Sequence, residues 1–430
     1  MRTLLLSSLL LTPSLASSII SFLDSVHHST SLAPASSRLE VEATPAGNTT
    51  VLECRAQGVL DTCTWSREGV EVPPTSMAAA SCSLSLETSV VKDLGSWTCR
   101  ATTRGATTFR EATVHTTEGR SRLSDVRLPT HLRPISYNIY ALPFLIPDNW
   151  TVAGMVEITL EVAEAADNIT LHIADMEVQE DAVTVEGAEG FVPVVGHGYD
   201  EARQFYILHL GEQLQANTSI LVTIPYTGHL NADLVGFYRS SYQDPETGEP
   251  HWLAVTQFET TDARRAFPCL DEPILKAKFR THLARLPGMS SISNMPIQDE
   301  GVPLDGLEYV LDIYEESLQM STYLVAFVVS DFVYRESEPL ENGVRFRIWS
   351  QPAYFAQTEY AAAIGPRILQ FYESYFNTSF PLPKQDMVAV PDFGAGAMEN
   401  WGLITYREYA LLYEEGGGRF INKWSLIISH

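Results

Sequence analysis

The residues with the most evident chemistry form the run Gly396-Ala397-Met398-Glu399-Asn400. A carboxylate in such a run can receive a cation, and an ammonium is held best by charge-assisted hydrogen bonds. Gly396 and Ala397 are small enough for another backbone to lie close along the strand that carries them. The same small residues also suit a bulge or tight packing, and Glu399 taken alone suits a solvated surface acid. Glu259, in Thr256-Gln257-Phe258-Glu259, is a second acid, which taken alone suits a solvated surface position. The two glutamates are far apart in the chain, so they meet only if separate parts of the fold pack together.

The elements that must position them follow from hydrophobic periodicity. Met387-Val388-Ala389-Val390 is predicted as a buried strand, and Ala397 to Thr405 as an edge strand carrying Glu399. Residues Ala353 to Phe376 have a helical period, with Ile364, Ile368, Phe371 and Tyr375 on one stripe. Gly365-Pro366 is expected to kink that helix or split it in two. Gly416-Gly417-Gly418 reads as a flexible turn, and Asn422 to His430 as the start of another helix. Upstream, Leu128 to about Asp331 is β-rich. Val156, Ile158, Leu160 and Val162 alternate with Glu157, Thr159 and Glu161, and Tyr137–Leu142, Phe205–Leu210 and Ser219–Tyr226 also read as strands. Ser321 to Tyr334 is the longest late apolar run. It is too short to cross a bilayer and is predicted as a buried strand.

A chain of 430 residues implies two to four domains. Against 28 Lys and Arg stand 53 Asp and Glu, a formal charge of −25 that argues against nucleic acid and against docking on anionic lipid by charge. Residues 1–18 have the form of a secretory signal: Arg2, the apolar Leu4 to Leu11, then the small residues Ser14-Leu15-Ala16. Five N-x-S/T sequons, at Asn48, Asn149, Asn168, Asn217 and Asn377, agree with export and are candidate glycosylation sites. Residues 19–37 are Ser-rich and read as a linker. Four of the five cysteines, Cys54, Cys63, Cys82 and Cys99, fall close together, as in a disulfide-bonded module of an oxidising compartment. Four cysteines allow three pairings. The fifth, Cys269, is expected to be a buried free thiol.

Two resemblances follow from longer motifs. Residues 38–118 resemble an immunoglobulin-like domain, through Cys54 on a strand, Trp65, and Asp93-Leu94-Gly95-Ser96-Trp97-Thr98-Cys99. That likeness implies a Cys54–Cys99 bridge with the buried Trp on it, and leaves Cys63 and Cys82 for a second bridge. Trp97 stands where Tyr is usual, so the phenol of the tyrosine corner is missing. From Leu128 onward the chain resembles the aminopeptidase N type of zinc metallopeptidase. The likeness rests on Leu128-Pro129 with Arg133-Pro134-Ile135-Ser136-Tyr137, on Gly236-Phe237-Tyr238-Arg239-Ser240-Ser241-Tyr242, on Thr256-Gln257-Phe258-Glu259, on Phe267-Pro268-Cys269-Leu270-Asp271-Glu272-Pro273, and on the Gly396–Asn400 run. It implies a β-sandwich-like domain over 128–331 and, over 335–430, the start of a thermolysin-like α/β catalytic domain. The loop from Phe267 to Pro273 is expected to be structural, fixed by its prolines and pinned by Asp271.

The resemblance also implies an activity, the release of N-terminal residues from peptides with a free N-terminus. In that reading Glu399 and Glu259 anchor the α-ammonium, Gln257 lines the pocket for the first side chain, and Gly396, Ala397, Met398 and Asn400 border the substrate. One Zn2+ ion is the implied cofactor. It takes two His from H-E-x-x-H, whose Glu acts as general base, and a further Glu. None of the 11 histidines begins such a motif, and His430, in Ser425-Leu426-Ile427-Ile428-Ser429-His430, is expected to be the first zinc ligand. The chain is accordingly expected to be the N-terminal part of a longer secreted or surface enzyme, inactive by itself, with any membrane anchor after residue 430. The immunoglobulin-like domain is expected to position the enzyme or bind a protein partner. Two other readings compete. One is a non-catalytic secreted or cell-surface binding glycoprotein. The other is a relative that hydrolyses epoxides, which the leader and sequons weaken.

Overall fold

The computed structural model describes residues 126–414, apart from 148 and 339, and the strands between residues 39 and 113. The signal (1–18), the linker (19–37), Asn48, the turn at Gly416–Gly418, the helix expected from Asn422 and His430 lie outside the described residues. The chain divides into two compact units, His27–Asp125 and the rest.

Among the described residues the smaller unit is all β. One four-stranded antiparallel sheet runs Leu39–Ala46, Thr49–Ala56, Ser81–Glu87, Ser76–Met77, and a second runs Val70–Val72, Thr62–Arg67, Ser96–Thr103, Ala106–Thr113. Trp65 is fully buried, and a disulfide joins Cys63 in one sheet to Cys82 in the other. The backbones of Cys54 and Cys99 lie on strands of different sheets, and their side chains are outside the described residues.

The larger unit opens with a nine-stranded sheet. Thr151–Val162 and Leu132–Pro143 lie at its centre, with Thr218–His229 on one side and Lys278–Arg285 on the other. Its pairs are antiparallel except that of Lys278–Arg285 with Leu132–Pro143. The alternation of Val156, Ile158, Leu160 and Val162 points those residues into one core, closed by the three-stranded sheet Ala166–His172, Phe205–Leu214, Val194–Asp200. Glu157, on the other face, is also buried, because Tyr140, Met155, Leu311 and Ile313 form a second core there. Helix is scarce, as the pattern predicts: up to Asp331 only short 3-10 turns are present among the described residues.

The second core holds a titrating group. His282 is stacked on Tyr140, with 4.1 Å between ring centroids, and neither of its ring nitrogens has a hydrogen-bond partner. Burial, and then the charge of Arg280, push its pKa down to about 3. His172 is pushed to about 3 by burial and then by Arg264, and its Nδ1 accepts from the Asp271 N–H at 3.2 Å. Both rings are neutral when folded, whereas the unfolded chain takes up these protons near pH 6.5. Their contribution is therefore complete above that value and is lost as pH falls from about 6.5 toward 3. Replacing His282 by Phe should flatten the acid side of the stability profile by up to about 1.4 kcal/mol per pH unit. Urea unfolding between about pH 4 and 7 reads this directly, and parallel profiles for the two proteins would show that His282 takes up its proton in the folded state as readily as in the unfolded chain.

Two further sheets position the candidate site. The first is antiparallel: Gly236–Gln243, Pro250–Gln257, Phe327–Ser330, Ser290–Ser293. The second is mixed: Val333–Glu336, Arg345–Ser350, Lys384–Val390, Leu403–Arg407, Ala397–Met398. The strand expected across Ser321–Tyr334 is broken into a 3-10 turn, Thr322–Leu324, and two strands. The helix is also revised. Residues Pro352–Thr358 form a 3-10 segment, and the α-helix Glu359–Phe376 passes unbroken through Pro366. Its buried face is Ala361, Ala362, Gly365 and Pro366, not the aromatic end of the predicted stripe. A Cβ on Gly365 would lie 2.5 Å from the Phe346 ring, so the missing side chain lets the helix sit directly on the sheet. Phe371 and Tyr375 are exposed instead.

Candidate active site

The Gly396–Asn400 run does not form the continuous strand expected from Ala397 to Thr405. It folds as a hairpin. Ala397–Met398 is a two-residue edge strand paired antiparallel to Leu403–Arg407, which lies inside the sheet. The reversal falls at Trp401-Gly402, where Gly402 has φ +84°. A Cβ there would lie 2.3 Å from the Asn294 carbonyl oxygen, so the turn needs glycine both for its backbone angle and for space. Replacing Gly402 by Ala should cost about 3 kcal/mol, seen as a lower denaturation midpoint. A variant as stable as the wild type would mean that the turn is free to move.

Alternation across this hairpin sorts the side chains. Met398 enters a core shared by both sheets, with Tyr238, Leu253, Val255, Trp349, Val388, Val390 and Leu403. Ala397 packs on the opposite face, against the helix side. Asn400 is buried, and its Nδ2 donates to Thr405 Oγ1 at 3.3 Å. Glu399 between them is exposed. Burial first, and then the charge of Glu399, push the Tyr406 phenol well above its usual range. Gly396 has open space where a side chain would stand.

The shared core brings the second acid to the same part of the fold. Leu253 and Val255 belong to the Pro250–Gln257 strand, which ends at Gln257. Phe258 then turns into the large core and Glu259 is exposed beyond it. Neither Glu259 nor Glu399 has an ion-pair partner among the described residues. The Gln257 side chain is buried with its Oε1 unpartnered. A buried amide oxygen without a partner is costly, so one that persists marks a position where a donor from outside could be accommodated.

Several residues that hold this region were not singled out by the sequence. Asp392, just before the hairpin, accepts from Ser240 Oγ at 3.0 Å, and its carbonyl accepts from the Tyr238 hydroxyl at 2.8 Å. Two motifs distant in sequence are joined there. Arg407 donates to the carbonyls of Phe393 at 2.7 Å and Gly394 at 2.9 Å. Asn294 Nδ2 donates to the Trp401 carbonyl at 2.8 Å, and Lys384 Nζ to that of Gly402 at 2.8 Å. Lys384 also pairs with Asp386 at 2.7 Å, which accepts both Nε and Nη2 of Arg347 and the Trp349 indole N–H. Burial opposes the Asp386 charge, yet Lys384 and Arg347 outweigh it and hold the carboxyl below its usual range. The only signal in the sequence is the placement of Lys384 and Asp386 at the head of an apolar strand, where solvated charges are not expected.

Elsewhere, the Phe267–Pro273 loop is structural. Asp271 accepts from Thr322 Oγ1 at 2.6 Å and from Arg264 Nε at 3.0 Å, and Cys269 is a buried free thiol. No group of three or more His, Cys, Asp or Glu that could hold a metal occurs among the described residues, and His430 lies outside them. What this region can do chemically is receive a cation beside an open edge strand.

The peptidase M1 N-terminal domain matches residues 133–324, and the peptidase family M1 domain matches residues 360–430. The chain belongs to peptidase family M1. It is 37% identical over 308 residues to aminopeptidase N from Bos taurus, covering 69% of this chain and 32% of that protein. It is 39% identical over 294 residues to endoplasmic reticulum aminopeptidase 1 from Rattus norvegicus, covering 68% of this chain and 31% of that protein. Aminopeptidase Ey from Gallus gallus is 38% identical over 308 residues, with 69% and 31% covered. The chain thus spans about a third of the length of the curated relatives it matches.

Proposed function

We propose that this chain supplies the amine-recognition part of a zinc-dependent aminopeptidase that releases N-terminal residues from peptides. The observation that carries the reading is the shared core around Met398, which sets the Glu399 hairpin against the strand leading to Gln257 and Glu259. Two exposed carboxylates without internal counter-ions suit an α-ammonium, which makes charge-assisted hydrogen bonds to both. Gly396 and Ala397, on an edge strand with open space beside it, suit a substrate backbone pairing alongside. The unpartnered Gln257 Oε1 suits the pocket for the first side chain. Zinc, in a metallopeptidase, polarises the scissile carbonyl and activates water. The described residues do not supply its site, so the roles assigned to this chain stop at recognition.

The domain reading has the signal at 1–18, a linker at 19–37, an immunoglobulin-like module at 38–118, the β domain at 128–331 and a thermolysin-like catalytic start from 335. Two four-stranded sheets, an inter-sheet disulfide and the buried Trp65 support the module. Export to the secretory pathway, then to the extracellular space or the outer face of the plasma membrane, is supported by the leader-like residues, the sequons and the relatives named for the endoplasmic reticulum. No helix among the described residues is long and apolar enough to cross a membrane.

The test uses the native product that contains residues 128–407, captured by antibody from tissue. It should cleave aminoacyl-coumarin substrates, lose activity to a chelator, regain it with zinc, and ignore N-acetylated substrate. A product that binds other proteins but shows no zinc-restorable cleavage would support the non-catalytic binding glycoprotein instead.

A further inference from the structure

We propose that Asn377 carries an N-linked glycan whose first N-acetylglucosamine packs on the exposed rings of Tyr375 and Phe376. The inference rests on the export reading above. Asn377 caps the helix Glu359–Phe376 in the left-handed conformation, φ 50° and ψ 44°. Its side chain is exposed and has no hydrogen-bond partner among the described residues, and Thr378 and Ser379 complete the sequon in the open.

The helix end is a firm platform. Glu373 accepts from Asn342 Nδ2 at 2.8 Å and from the Phe380 N–H at 2.6 Å, and its carbonyl accepts from the Thr378 N–H at 3.1 Å. Immediately before the sequon stand two large rings, Tyr375 at 70% exposure and Phe376 at 65%. They meet edge to face with centroids 5.0 Å apart, and Tyr375 stacks on Phe371, itself 60% exposed. Three rings in the open on one helix end are costly in water. A pyranose ring has a face of C–H bonds that can cover an aromatic face while its hydroxyls stay solvated.

The other described sequons lack this combination. Asn149 Oδ1 accepts from Thr151 Oγ1 at 2.7 Å, and Asn168 Nδ2 donates to Asp167 Oδ1 at 3.0 Å. Asn217 is exposed in the turn between the strands Phe205–Leu214 and Thr218–His229, with no aromatic residue within two positions on either side. In the modification, the Asn377 amide nitrogen attacks the anomeric carbon of a lipid-pyrophosphate-linked oligosaccharide. The C–N bond forms, the C–O bond to pyrophosphate breaks, the amide loses a proton, and the lipid pyrophosphate leaves.

The full chain, secreted from eukaryotic cells, tests this in two measurements. Peptide mapping after amidase release in heavy-oxygen water should find Asn377 modified. Modification at Asn217 with none at Asn377 overturns the inference and leaves export standing. Modification at no sequon overturns both. The second measurement is thermal unfolding of glycoprotein trimmed to a single sugar. It should melt about 2–4 °C above Ser379→Ala, which removes the sequon and keeps the Asn377 cap. In a Tyr375→Ser, Phe376→Ser background the difference should vanish. A difference that persists without the rings shows that the sugar does not seat on them.

Discussion

If Glu399 holds the α-ammonium as proposed, replacing it by Gln in the proposed aminopeptidase should lower kcat/KM for peptides with a free N-terminus by about 10–100-fold, the usual worth of a hydrogen bond to a charged group. The loss should fall mainly in KM, because the ammonium is held in the ground state and the transition state alike. Glu399 is exposed on a hairpin whose buried positions include Met398, Asn400 and Leu403, so thermal stability should not change. Glu259→Gln should act in the same direction. If both carboxylates hold one ammonium, the double variant should lose less than the product of the single losses. Unchanged kcat/KM in Glu399→Gln, or losses at the two positions that simply multiply, would remove the shared role.

The largest effect on stability should come from Asp386→Ala. Asp386 is completely buried, and Lys384 beside it is 2% exposed. Removing the carboxylate leaves the Lys384 ammonium and the Arg347 guanidinium facing each other without their common partner. Breaking a buried pair in this way costs about 3–5 kcal/mol. Lys384 also donates to the Gly402 carbonyl, so the hairpin that carries Glu399 should loosen at the same time. Adding Lys384→Met to Asp386→Ala should recover part of the loss, because the uncompensated charge is gone. Chemical denaturation measures both. A cost below about 1 kcal/mol for Asp386→Ala would mean that water reaches the network and solvates the remaining charges.

Much of this region was legible in the sequence because local patterns carry it. The alternation from Val156 to Val162 requires a strand with one apolar face, whatever it packs against. The spacing around Asp271 marks a fixed loop, and Cys269, with no partner in the count, is a buried thiol. The acids at positions 259 and 399 are named by their motifs alone.

Other features depend on what lies across the fold. Ala397 to Thr405 has the composition of one strand. It folds back at Gly402 because Asn294 and Lys384, from elements outside the hairpin, take up the carbonyls of the turn. Pro366 is a helix breaker in isolation, yet the helix continues through it because its Gly365 face lies against Phe346. Phe371 and Tyr375 share a helical stripe with Ile364 and Ile368, but only the isoleucines reach the sheet. Residue types and spacing by themselves determined the acids, the strands and the small residues beside them, since these are local chemistry. Only tertiary structure decided which acid stands clear of ion pairs and which charge is buried, because long-range packing sets solvent access and partners.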